Sequence, residues 1–138
     1  MSYDLMVFNP AVAPRARTTF LQWYGDITRW EEARDYTDPT GMTGNLISFY
    51  HLFRRDFPPL NGPHAVALEN VDDPYVTDYS FASDAIYLSF AWSIAELARE
   101  ATLDAALNTA VGFFDVSETN GAIAYDIHDL VSLKRATQ

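Results

Sequence analysis

The stretch TDYSFASDAIYLSFAWSIAELAREATLDAALNT, Thr77–Thr109, decides the fold class. Its first half alternates. Thr77 to Phe81 and Ala85 to Ala91 read as two strands turned near Ser83-Asp84, with Ile86, Leu88 and Phe90 on one side and Tyr87 and Ser89 on the other. The period then changes. Ser93 and Glu96 have the spacing of a capping box, and Trp92 and Leu97 that of a hydrophobic staple, so a helix is expected to start there. Ile94, Leu97, Ala98, Ala101 and Ala105 form its expected buried stripe, and the alanines let it pack close to a neighbour.

Upstream, Tyr3 to Phe8 is a short strand stopped by Asn9-Pro10, apolar on both faces as in a central strand. Phe20, Trp23, Tyr24, Ile27 and Trp30 recur at helical spacing, giving a first helix from Pro14 to about Glu31. Asp35 to Gly44 is a loop. Leu46, Tyr50, Phe53 and Phe57 mark a second helix, ended by Pro58-Pro59. Leu60 to Pro74 is the longest irregular segment. Downstream, Gly112 suits a helix end, Phe113 to Val116 is a strand, and Asn120-Gly121 signals a turn. Ile123, Tyr125 and Ile127 form a fifth strand, followed by a polar tail from Ser132.

The order predicts a single α+β domain over residues 1–138: a ferredoxin-like β-α(α)-β-β-α-β pattern with an extra C-terminal strand, helices on one face of an antiparallel sheet. Met6, Phe8, Tyr87 and Phe113 then line a face without helices, which needs a cover: a second copy, a ligand, or the fifth-strand region.

Charge is the strongest functional signal. From Asp56 to Leu133 the only Lys or Arg is Arg99, among thirteen Asp and Glu, and the net charge is −10. Such a surface disfavours nucleic acid and anionic membrane and steers basic proteins. Hydrophobic content of 49% makes it a packed globule and not a disordered acidic segment. The absence of cysteine excludes disulfides, thiol catalysis and thiolate metal sites. Met1-Ser2-Tyr3-Asp4-Leu5 has no leader-like region and no apolar run reaches membrane length, so a cytoplasmic location is expected.

No catalytic signature, cofactor motif or metal motif is present. His51, His64 and His128 have no ligand spacing, and Asp72-Asp73-Pro74-Tyr75-Val76-Thr77-Asp78 departs from the EF-hand loop at its glycine and glutamate positions. That loop is instead the densest acidic segment, with tyrosines interleaved as interface anchors. Trp30, at the expected end of the first helix, is the aromatic most readily exposed. Asp72, Asp73, Tyr75, Asp78 and Trp30 are therefore the expected partner contacts.

The strings Ser2-Tyr3-Asp4-Leu5-Met6-Val7-Phe8, Phe57-Pro58-Pro59-Leu60-Asn61-Gly62-Pro63 and Gly112-Phe113-Phe114-Asp115-Val116-Ser117, with the block from Asp72 to Ser93, resemble a family of small bacterial proteins of unassigned function. The resemblance covers most of the chain and implies no active-site residues. In size and acidity the chain is also similar to immunity proteins of bacterial toxin systems, which implies a basic, toxin-like protein partner neutralised by occlusion. Two alternatives accompany this expectation. One is a ligand-binding protein or enzyme of the dimeric ferredoxin-like type, using Tyr87, His64 and the Asp72–Asp73 pair. The other is a structural homodimer formed through the sheet.

Overall fold

In the computed structural model, which describes residues 2–137, the two strands of the opening stretch lie at Asp78–Phe81 (β2) and Ala85–Phe90 (β3). They pair antiparallel, Tyr79 opposite Leu88, and β3 pairs antiparallel with the first strand, Tyr3–Phe8 (β1), Leu5 opposite Leu88. On its other side β1 takes Gly112–Phe114 (β4), which pairs with the two-residue β5, Ile123–Ala124. The order is β2-β3-β1-β4-β5, all pairs antiparallel. β3 therefore lies between β1 and β2, and β1 between β3 and β4, so both β-to-β crossovers span an intervening strand. The central β1 is buried on both faces, because Leu5 and Val7 point one way and Met6 and Phe8 the other.

Four α-helices pack on this sheet: Arg17–Ile27 (α1), Gly44–Phe53 (α2), Ala95–Thr109 (α3) and Ile127–Thr137 (α4). They do not share one face. Leu46, Phe49, Tyr50 and Phe53 of α2, Ala98 and Leu103 of α3 and Leu130 of α4 join Leu5, Val7, Ile86, Leu88, Phe90 and Phe113 in the main core. Phe20 of α1 packs with Met6, Phe8, Ala85 and Phe114 in a second core, sealed by Trp23, Tyr24, Ile27 and Tyr125. The expectation of helices on one face is thus corrected. The apolar second face of β1 has its cover within the chain, and α1 is that cover. Phe113 also moves: it opposes Val7 and enters the main core, while Phe114 opposes Met6 on the α1 face. Gly112 lies against the Phe8 ring, where an added Cβ would come within 2.4 Å of Phe8 carbons, so its role is close approach. The helix end itself is made by Ala110, left-handed at φ 58°.

Two further expectations change. The capping box at Ser93 and Glu96 does not form. Trp92–Ile94 is a 3₁₀ turn, α3 starts at Ala95 without a side-chain cap, and Trp92 packs on Tyr3 at 5.4 Å between ring centroids. The inward positions of α3 are Ala98, Thr102, Leu103, Ala105 and Ala106, which turns Leu97 outward. The reciprocal side-chain cap lies instead at α4. Asp126 Oδ1 accepts from the Asp129 N–H at 2.9 Å, and Asp129 Oδ2 accepts from the Tyr125 N–H at 2.9 Å. The segment read as the end of a strand and a polar tail is therefore a helix, held to the core by Leu130 and Leu133. No helix among the described residues is long and apolar enough to cross a membrane.

Candidate functional site

The outward turn of Leu97 opens the site. Between α3 and the chain leaving α2, a groove of about 580 Å³ is lined by Arg55, Asp56, Phe57, Pro58, Asp73, Tyr75, Leu97 and Ala101. It continues past Tyr75 and Leu97 into a second hollow reaching Trp92 and Glu96. In the other direction it runs along α2 and α3 through Leu52, Phe53, Ala105 and Asn108. Tyr75, Trp92 and Leu97 are large apolar side chains left 38%, 51% and 47% exposed on this one surface.

The floor is fixed from below. Phe57 stacks on Phe53 with ring centroids 4.4 Å apart, and Tyr79, buried in β2, donates its hydroxyl to the Phe57 carbonyl at 2.6 Å. Asp73 Oδ1 accepts from the Tyr75 N–H at 2.9 Å in an Asx turn, and the Tyr75 ring lies 5.9 Å from the Phe57 ring between centroids. The rim is acidic. Asp56, Asp73 and Glu96 enter none of the ion pairs found among the described residues, while Arg55 is the single cation of the lining. Asp104, lower along α3, is paired with Lys134.

Of the residues expected from sequence, the groove takes Asp73 and Tyr75. Asp72 is exposed beside them in the same turn. Asp78 opens β2 on the α1 side of the sheet, where Asn61 Nδ2 donates to it at 3.4 Å. Trp30 is half-buried at φ 56°, edge-on to Tyr36 and Tyr87 with centroids 5.0 and 6.0 Å away. The five residues thus fall on two surfaces. Leu97, Trp92, Phe57, Asp56 and Glu96 were not singled out as contacts.

The groups of the ligand-binding alternative do not converge. Tyr87 faces α1 and donates to Asp4 Oδ2 at 2.6 Å, whereas His64 Nδ1 lies 3.1 Å from the Tyr50 hydroxyl on the α2 side. An apolar hollow of about 390 Å³ lies near Pro10, Val111, Tyr125, Ile127, His128 and Leu130. Most of its polar groups are already engaged: Tyr125 donates its hydroxyl to the Pro14 carbonyl at 2.7 Å, and the Asp126 carboxylate caps α4.

Burial pushes the Tyr79 phenol well above its ordinary value, with the neighbouring Tyr50 adding to the shift. Burial followed by the hydrogen bond to Asp4 does the same for Tyr87, and burial followed by the charge of Asp115 does so for Tyr3. A raised phenol stabilises the fold below the unfolded value of about 10, and that stability is lost as pH rises toward the folded-state value. Phenolate absorbance from Tyr3, Tyr79 and Tyr87 is therefore expected to appear together with loss of near-UV circular dichroism. Ionisation of all tyrosines near pH 10 with the fold intact would contradict their burial.

No protein-family model matches the chain, and comparison with curated proteins and with solved structures finds no significant match.

Proposed function

We propose that the protein is an acidic binding module that holds a basic protein partner in the groove between α3 and the chain leaving α2. The observation that carries this reading is the convergence of Tyr75, Trp92 and Leu97 on a concave surface rimmed by Asp56, Asp73 and Glu96. Exposed aromatic and aliphatic anchors supply affinity, and three rim carboxylates against the single Arg55 supply on-rate and orientation. Arg99, the one Lys or Arg between Asp56 and Leu133, bonds to the buried Asp115 and so offsets little of the rim charge.

The biological form of this reading is an immunity-type inhibitor that occludes a basic, toxin-like protein. Size, acidity and the groove support it together. α1 occupies the sheet face through which a second copy would have packed, which leaves the groove as the concave surface where Tyr75, Trp92 and Leu97 are exposed together.

Charge reversal tests the rim. Asp56→Lys with Asp73→Lys is expected to slow association with the partner at least ~10-fold at low salt, with little change in dissociation. The wild-type rate should fall steeply as salt is raised, since exposed charges are screened within about 10 Å at 0.1 M. Association that ignores both the substitutions and the salt would refute the electrostatic role.

A further inference from the structure

We propose that the occupant of this groove is a basic amphipathic α-helix of the partner; the inference rests on the binding reading above and names the element bound. The walls of the groove decide the kind of chain that fits. It is bordered by α3 on one side and by the end of α2, residues 55–58 and the Asp73–Tyr75 turn on the other; the Asp56 and Phe57 N–H groups bond the Phe53 carbonyl, and the Phe57, Pro58, Asp73 and Tyr75 carbonyls accept from Tyr79 Oη, Thr77 N–H, Val76 N–H and Thr77 Oγ1. An extended peptide laid there would bury N–H and C=O groups against Phe57, Leu97 and Ala101 with no sheet edge to receive them. A helix brings its backbone already satisfied and presents only side chains.

Dimensions and charge agree with that occupant. From Glu96 to Asn108 the groove follows α3 for about three turns, ~18 Å at the helical rise per residue. Along that length the floor is apolar: Leu97, Ala101 and Ala105 from α3 face Phe53 and Phe57. Ala101 and Ala105 are small, which lets a docked helix approach closely, and Leu97 and Tyr75 stand exposed toward the Glu96 end as anchors. The carboxylates of Asp56, Asp73 and Glu96 stand at the rim, where Lys or Arg flanking an apolar stripe would lie. An acidic helix would meet like charge on the same rim.

The test uses the full chain and three synthetic peptides of about 18 residues. One is a Leu- and Phe-faced helix with Lys and Arg on its other side. The second has the same composition with the apolar residues scattered, and the third keeps the apolar face but carries Glu in place of Lys and Arg. Binding is followed by titration, with backbone amide shifts in the NMR spectrum to locate it. The first peptide is expected to bind one to one, to gain helicity, and to shift Tyr75, Leu97 and Ala101. It should bind at least ~10-fold tighter than either other peptide, a difference of ~1.4 kcal/mol. Leu97→Asp, on an exposed helix position, should weaken it by a similar factor while leaving the amide spectrum otherwise folded. Equal binding of the scattered basic peptide at the same residues would overturn the helix while sparing the basic-partner reading. Equal binding of the acidic helix would overturn the charge argument. Binding centred on Trp30 and Asp78, or no binding by either basic peptide, would overturn the groove itself.

Discussion

Phe8→Ala is expected to lower the stability of the protein by about 3–5 kcal/mol, measured by denaturant unfolding with an unchanged m-value. Phe8 is fully buried at the end of the central strand, on the face that α1 covers. Its ring touches those of Phe20, Trp23 and Tyr125 at centroid distances of 5.1, 5.8 and 5.7 Å. Gly112 closes on it from β4 with no room for a Cβ. Truncation therefore empties a site bounded by α1, β1, β4 and the residue after β5, and rigid ring neighbours fill such a void poorly. A loss below about 1 kcal/mol would mean that α1 does not bury this face.

Arg99→Met is expected to cost about 3 kcal/mol, the low end for breaking a buried ion pair, because the Arg99 side chain keeps partial contact with solvent. Asp115 is 4% exposed, and its Oδ2 takes the Arg99 Nε at 3.0 Å. Its Oδ1 is buried without a hydrogen-bond partner, so the carboxylate depends heavily on the guanidinium. The pair joins α3 to the residue after β4. Adding Asp115→Asn to Arg99→Met should recover part of the loss, since the desolvated charge is then gone. Equal stability of Arg99→Met and the wild type would show that Asp115 is not held as a buried carboxylate.

Strand β3 and helix α2 are legible from the period each carries, β1 from a short apolar run stopped by Asn9-Pro10, β2 from its place beside the Ser83-Asp84 turn, and α3 as a helix but not in its inward phase. The face taken by α1 is not. Phe20, Trp23, Tyr24 and Ile27 announce a buried stripe, but a stripe says nothing about which side of a sheet it meets. Met6 and Phe8 do announce a second apolar face that needs a cover, but the ferredoxin-like pattern assigns every helix to the other face, whereas α1 is the cover. At the C-terminus, Ile123, Tyr125 and Ile127 satisfied strand alternation, while the true signal was the pair Asp126 and Asp129, spaced to cap a helix.

The site was half legible for a similar reason. Asp73 and Tyr75 stood out through local composition alone. Leu97 fits the apolar stripe of α3 and so reads as inward, and only the packed structure shows that Thr102 and Leu103 take the inward phase. Trp92 has the spacing of a staple with Leu97, whereas it packs on Tyr3 and remains half exposed. Asp78 and Trp30 carry the right chemistry on the wrong side of the sheet, since residue type alone cannot report which face of a strand or loop a side chain reaches.

The Tyr75–Trp92–Leu97 groove is proposed to bind a basic protein. Its most direct test is parallel affinity capture, from the cells that make the protein, with tagged wild type and with Trp92→Ala/Leu97→Asp, both first shown to be folded by circular dichroism. The wild type is expected to retain a stoichiometric basic protein at low salt and release it at high salt, and the groove variant to lose it. A partner retained equally by the groove variant, or a wild type that recovers only itself, would contradict the claim.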